Sequence, residues 1–407
     1  MANRNSDHSG RTKRDEASSR RGSPKVGSTL EALCASKEMI VTCGSGGVGK
    51  TTTAAAVAAM AAAHLGGKVL VLTVDPARRL ATALGLEAFG NIETRVPHSL
   101  FQEAGVEPQG ELWAAMLDMK QSWDELVRTH APDEETREAI LANPLYQNIT
   151  GKFVQSHDYI AMERLYEIHA SGRYDLIVVD TPPTRNAIDF LEAPDRMADF
   201  FSSRLLRWLI APYKSRLYNT ASKPFYLVAD RVLGSQFLAD IAEFFVLFQT
   251  MYDGFVERAK SVKRIMQDPR TTFMVVTTLE TLPAREADFF IDALEARHFH
   301  LGALVLNKVL PDSFMNRGAT GIARRLASES ESIASKVPAE FADRQLVGRV
   351  LREVGESFLA YRVVATREAE TRSELSRKPD VIASVPYFES DIYDLAGLLR
   401  LGEQIWR

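Results

Sequence analysis

Met39-Ile40-Val41-Thr42-Cys43-Gly44-Ser45-Gly46-Gly47-Val48-Gly49-Lys50-Thr51-Thr52, followed by an alanine-rich run to His64, is the stretch that decides the fold. Residues 39–42 are short, apolar and partly β-branched, as a buried strand is. The glycine loop that follows matches G-x-x-x-x-G-K-[ST], and the alanine run after it reads as a helix. Strand, glycine loop and helix in that order make a phosphate-binding loop, or P-loop. At Gly46, Gly47 and Gly49 a side chain would block the inward turn of the backbone N–H groups of residues 46–52, Val48 and Thr52 included. The helix N-terminus adds partial positive charge. Lys50 reaches β- and γ-phosphates, and the Thr51 hydroxyl is placed to ligate Mg²⁺.

Working outward, the helix over 51–64 carries alanine on nearly every face, so larger neighbours must bury it. Gly66-Gly67 stops it, and 68–74 reads as the next buried parallel strand. Asp75-Pro76-Ala77-Arg78 lies at that strand's carboxyl end, the edge at which such sheets bind ligands. A second apolar strand, 175–179, ends in Asp180-Thr181-Pro182-Pro183-Thr184. An acidic residue at a strand end is what a second Mg²⁺ contact requires, so Thr51 and Asp180 form the candidate metal pair. The expected architecture is α/β: a doubly wound, mostly parallel sheet of the P-loop NTPase kind, with helices on both faces and a helical insertion subdomain.

Together these motifs resemble the deviant-Walker-A ATPases, and within them the arsenical-pump and tail-anchored-protein-targeting family. Asp75-Pro76-Ala77 is similar to the family's switch I, whose aspartate orients the attacking water. Asp180-Thr181-Pro182-Pro183-Thr184 with Phe190-Leu191 is similar to switch II, and residues 112–118 to the strand between them. Asn307-Lys308 resembles the adenine-reading pair, and Val385-Pro386-Tyr387 the loop that closes over the base. The resemblance runs from about residue 38 to 400. It implies an ATPase that uses ATP and Mg²⁺, works as a dimer in the cytoplasm, and has Asp75 and Lys50 as catalytic residues. Asn307, Pro386 and Tyr387 join the loop as nucleotide-binding residues.

Four positions depart from the family pattern. Ser45 stands where a lysine normally crosses the dimer interface to the partner's nucleotide. Arg78 stands where histidine is usual, and Arg185-Asn186 replaces Gly-His in switch II. The zinc-binding Cys-x-x-Cys is missing, since the only cysteines are Cys34 and Cys43. Arg78 and Arg185 are candidate substitute cations for the missing lysine; alternatively a lysine-bearing paralogue supplies it.

The rest of the chain divides by pattern. The domain is expected over 29–407, with helical insertions at about 187–270 and 313–380. In the first, Met197, Phe200, Phe201, Leu205, Trp208 and Leu209 give one apolar face. Phe237, Ile241, Phe244, Phe248, Met251 and Phe255 give a longer stripe, widened by Leu238, Phe245 and Tyr252. An aromatic-rich stripe of this breadth reads either as packed core or as a surface for a hydrophobic helical client. The second insertion is polar, with apolar positions at Ile333, Val337, Phe341, Val347, Val350, Leu351, Val354 and Phe358, and reads as a solvated arm or part of the helical subdomain. Residues 392–406 read as an amphipathic helix docked on the sheet.

Composition narrows function further. The 407 residues carry a formal net charge of −4, which gives no general attraction for nucleic acid. Two cysteines exclude a disulfide scaffold. Residues 1–28 carry seven basic and three acidic side chains without an apolar run, and read as a disordered basic tail. No run of about 18 apolar residues occurs, so no integral membrane segment is expected. The reading is a Mg-ATP-dependent dimeric switch, coupling hydrolysis to binding and release of a hydrophobic, membrane-protein-like client. Its alternatives are a catalytically weak subunit of a heterodimer with a lysine-bearing paralogue, or a Min/Par-type positioning ATPase. The iron protein of nitrogenase shares the fold, but Cys34 and Cys43 do not supply its cluster ligands.

Overall fold

Near-continuous apolar runs form the middle of the sheet, as central parallel strands covered on both faces must. The computed structural model describes residues 29–74, 78–86, 91–147, 154–182, 192–193, 195–196, 199, 243–338, 343–375 and 379–406. Its strands are β1 (Met39–Cys43), β2 (Gly67–Thr73), β3 (Thr94–Arg95), β4 (Gly110–Met116), β5 (Leu176–Asp180), β6 (Thr271–Thr277), β7 (Leu301–Val309) and β8 (Val381–Pro386). They form one sheet in the order β3-β4-β2-β5-β1-β6-β7-β8. Every pairing is parallel except the short β3 against β4. The sheet is therefore α/β and mostly parallel, as expected, with β1 at its centre between β5 and β6.

Helices described on and around the sheet are α1 (Leu30–Ser36), α2 (Lys50–His64), α3 (Arg78–Ala83), α4 (His98–Glu103), α5 (Met119–His130), α6 (Glu134–Ala142) and α7 (Val154–Ser171). They continue with α8 (Tyr252–Met266), α9 (Thr281–Ala296), α10 (Arg317–Ser328), α11 (Ser330–Ala334), α12 (Arg344–Leu375) and α13 (Leu395–Trp406). The period-two alternation of the strands sorts them onto two faces. Ile40, Val69, Val71, Val178, Met274 and Val276 point to the face covered by α2 and α13. Met39, Val41, Leu70, Leu72, Val179 and Phe273 point to the face covered by α7, α8 and α9. Residues 53–63 of α2 are buried throughout, and the C-terminal helix α13 docks beside it with Leu398, Ile405 and Trp406 in the same core.

Beyond the sheet edge, α5, α6, α7, residues 243–248 and α8 enclose a third, aromatic core. Phe248 stacks on Phe255 with ring centroids 5.1 Å apart and meets Phe244 in a tilted contact at 5.0 Å. Tyr159 and Trp123 close over them. Phe244, Phe248 and Phe255 are each at most 4% exposed. This part of the stripe is core, not the client surface that its width also allowed. The reason is that α5 and α7, distant in sequence, bring their own aromatic rings to cover it. Met197, Phe200, Phe201, Leu205, Trp208, Leu209, Phe237, Leu238 and Ile241 lie outside the described residues.

Between β7 and β8 the chain leaves the sheet as α10, α11 and the 32-residue α12. Gly348 and Gly355 of α12 face α11 and α10. A different side of α12 leaves Leu346, Val350, Val354, Tyr361 and Val364 exposed.

The aromatic core predicts the outcome of placing a charge inside it. Phe248→Asp should lower unfolding stability by about 4 kcal/mol or more, since it removes the stacked ring and buries a carboxylate. Urea denaturation followed by tryptophan fluorescence, with Trp123 beside the site, is the check; unchanged stability would mean that the ring is not packed as described.

Candidate functional site

The loop sits at the carboxyl end of β1, where register alone brings its partners into range. Thr42 of β1 lies beside Asp180 of β5, and Thr73 of β2 lies on Asp180's other side. Three strands thus end at one level, with β5 in the middle, and the turn from Gly44 to Gly49 rises from β1 beside it. Gly44, with φ of 154°, passes so near β6 that a Cβ there would lie 2.0 Å from the Val276 carbonyl oxygen. Gly49, with φ of 96°, caps the N-terminus of α2 in left-handed geometry, and a Cβ on it would lie 2.4 Å from Asn307 Nδ2. Neither position admits another residue without moving a neighbour. No side chain caps the first turn of α2. Its N–H groups and helix dipole are the kind of terminus that receives an anion.

Lys50 and Thr51 open that helix. The Lys50 side chain is 8% exposed, and its Nζ donates to the Ser45 carbonyl at 3.0 Å. Thr51 Oγ1 donates to Asp180 Oδ2 at 2.6 Å, and Thr73 Oγ1 donates to the same oxygen at 3.1 Å. Asp180 is 1% exposed. Hydroxyl and carboxylate oxygens this close are hard donors, suited to Mg²⁺ with its small octahedral shell. Behind them, Thr181 Oγ1 donates to the Thr42 carbonyl at 2.8 Å and ties β5 to β1 past the strand end. Burial pushes the Cys43 thiol up to about 12, so it is a small apolar filler under the loop and no nucleophile.

Two clamps hold the loop from the β6–β7 side. Asn307, at the end of β7, donates Nδ2 to the Val48 carbonyl at 2.7 Å and accepts from the Lys308 N–H at 2.9 Å. Lys308 takes a left-handed φ of 57°, a strained backbone of the sort found beside functional sites. Ser45 Oγ donates to Glu286 Oε2 at 2.6 Å, from the second turn of α9. Glu286 carries no mark in the sequence that ties it to the site, and Thr73 carries only a faint one. Glu286 is one of many acidic residues on an amphipathic helix, 241 positions from Ser45, and only the strand-end position of Thr73 hinted at a role.

The structure therefore brings together the residues of the loop, Thr51, Asp180 and Asn307. Pro386 of β8 pairs in register with Val309 of β7, which puts it at the same end of the sheet as Asn307. Tyr387 follows it and is 66% exposed. Arg78 is the first residue of α3. Asp75 and Arg185 lie outside the described residues.

One other group of metal-ligating side chains occurs among the described residues, at His130, Glu163 and Glu167. Arg258 is ion-paired to Glu163 there, and a guanidinium beside the ligands opposes a cation.

Comparison with known proteins gives this geometry a family. The sequence profile described as anion-transporting ATPase matches residues 37–353. A protein of Aquifex aeolicus named as an arsenical pump-driving ATPase is 26% identical over 279 residues, 66% of this chain and 79% of the relative. ATPase GET3 of Lodderomyces elongisporus is 25% identical over 280 residues, 66% of this chain and 71% of its own length. The ATPase ASNA1 homologue of Entamoeba dispar is 26% identical over 277 residues, with 66% and 75% covered.

Two substitutions test the site. Lys50→Ala should weaken MgATP binding by about a hundredfold, as expected for losing two charge-assisted contacts to phosphate; equal affinity by calorimetry would remove Lys50 from the site. Asn307→Ala leaves the Val48 carbonyl without its donor and should weaken ATP and GTP alike by about five- to tenfold. A loss confined to ATP would instead assign Asn307 to the adenine.

Proposed function

The chain belongs to the anion-transporting ATPase family and is an ATPase, and from that premise we propose that it works as a Mg²⁺-ATP-dependent dimeric switch, coupling hydrolysis to binding and release of a hydrophobic, membrane-protein-like client. The observation that carries this reading is the Thr51–Asp180 contact at the mouth of the glycine loop. These two residues would hold Mg²⁺, which when bound neutralises charge on the β- and γ-phosphates. Residues 46–52 receive the phosphates on backbone N–H groups, and Lys50 adds a cation to the γ side. Asp75 is the residue to which we assign the attacking water. Pro386 and Tyr387 enclose the base, and Asn307 serves the nucleotide by holding the loop at the Val48 carbonyl. Chemistry of this kind is positioning and charge neutralisation, so hydrolysis acts as a timer for a conformational change.

Support for a client comes from the exposed apolar row Leu346, Val350, Val354, Tyr361 and Val364 on α12. We assign the client-handling role to the insertions at about 187–270 and 313–380, and treat 1–28 as a basic tail outside the ATPase domain. No helix among the described residues is long and apolar enough to cross a membrane. Both cysteines are unpaired and buried, which suits the reducing cytoplasm in which we place the protein.

A second reading follows from Ser45, whose side chain is neutral and hydrogen-bonded to Glu286. This chain offers no cation at that position to a partner's nucleotide. It is then the catalytically weak member of a heterodimer, whose lysine-bearing paralogue completes this chain's site. Cations supplied across such interfaces are worth roughly 10³–10⁵ in rate in related NTPases.

Turnover of the purified chain at high concentration separates the two. On the heterodimer reading it is negligible alone, is restored by the paralogue, and is lost again when that paralogue's lysine is removed. On the self-sufficient reading it is robust alone and falls about a hundredfold in Arg78→Ala or Arg185→Ala, an arginine having replaced the lysine. In either case Asp75→Asn should keep ATP affinity while stopping turnover.

A further inference from the structure

Ser45 is held from two sides. Its hydroxyl donates to the Glu286 carboxylate at 2.6 Å, the short range of a hydrogen bond to an ionised acceptor. Its carbonyl receives the Lys50 ammonium at 3.0 Å. The three residues form a line from α9 to the catalytic lysine, and Ser45 is only 6% exposed within it. Lysine is a point charge on a flexible four-carbon stem, so its place is set by whatever its head group meets. One such contact here is the Ser45 carbonyl, on the same residue whose hydroxyl is bonded to Glu286.

The far end of the line is rigid. Ala284, Ala287, Phe290, Ile291 and Leu294 bury the inner face of α9 on the sheet, so Glu286 projects from a fixed element. The preceding strand, β6, also abuts the start of the loop, through Val276 against Gly44. A carboxylate beside a loop that must receive a triphosphate is electrostatically adverse on its own. Its hydrogen bond to Ser45 gives it a positioning task that offsets this.

We infer that Glu286 is a positioning residue for the ATPase reaction: through Ser45 it sets the place of the Lys50 ammonium and thereby the response of the site to the γ-phosphate. The inference rests on the ATPase activity and is independent of dimer and client. Because Lys50 serves the β- and γ-phosphates, loosening it affects ATP more than ADP and the rate more than the Michaelis constant.

The test is a set of variants read by steady-state kinetics and by calorimetry with MgATP and MgADP. Glu286→Ala and Ser45→Ala should each lower kcat/KM about tenfold, mostly in kcat, and lower the ATP-over-ADP affinity ratio. Combined, they should do no more harm than either alone, since both break one line. Glu286→Gln keeps an acceptor oxygen and should recover most of the loss. Asp288→Asn, on the exposed side of the same helix, should behave as wild type. If the chain turns over only with a paralogue, the affinity ratio still reads the effect, so failure of that reading and failure of this one are distinguishable. Wild-type values in Ser45→Ala, additive losses in the double variant, or Glu286→Ala lowering the melting temperature without lowering the ratio would each overturn the inference.

Discussion

A single parallel register holds the site together: Thr42 lies beside Asp180, and Asp180 beside Thr73. Because β1, β2 and β5 end level, a carboxylate on the middle neighbour stands within 2.6 Å of the first hydroxyl after the loop. A slip of one residue would turn Asp180 to the opposite face of the sheet and leave Thr51 without it. The register is protected by burial on both faces, since every residue of β1 and β5 is buried. Sliding either strand would exchange the residues facing α2 for those facing α7 and α9.

The loop is shaped by what crowds it. Val276 and Asn307 leave no room for a side chain at Gly44 and Gly49. Asn307 and Glu286 then grip the Val48 carbonyl and the Ser45 hydroxyl from β7 and α9. The β5 side of the cleft carries the joined Thr51 and Asp180 oxygens, and the β6–β7 side carries the groups that hold the loop. Lys308, held at a positive φ next to Asn307, marks where backbone strain accompanies that fixity.

The helical parts show the two ways an apolar stripe can end. Around Phe244, Phe248 and Phe255 it is closed by rings from α5 and α7, with Glu163, Tyr159 and Arg258 joined at its border. On α12 the side opposite the packed glycines stays open to solvent. A lone pattern of apolar residues at helical spacing is the same in both cases. The difference is whether another element of the same chain returns to cover it.

The sequence by itself determined the α/β class, the order of strand, loop and helix, and the pairing of Thr51 with Asp180. Those depend on local chemistry: glycines where side chains are forbidden, a hydroxyl after the loop and a carboxylate at a strand end, and unbroken apolar runs where strands are buried. Buried alanines likewise announced α2 as a central helix, and the periodicity of 392–406 announced α13. Tertiary structure alone decided that Asn307 reaches the loop through Val48, that Glu286 reaches it through Ser45, and that Phe248 is core. Each is a contact between segments more than 80 residues apart. Nothing local distinguishes Glu286 from the other acidic residues of its helix, and it became a neighbour of Ser45 only because β6 lies beside β1 and α9 folds back from its end.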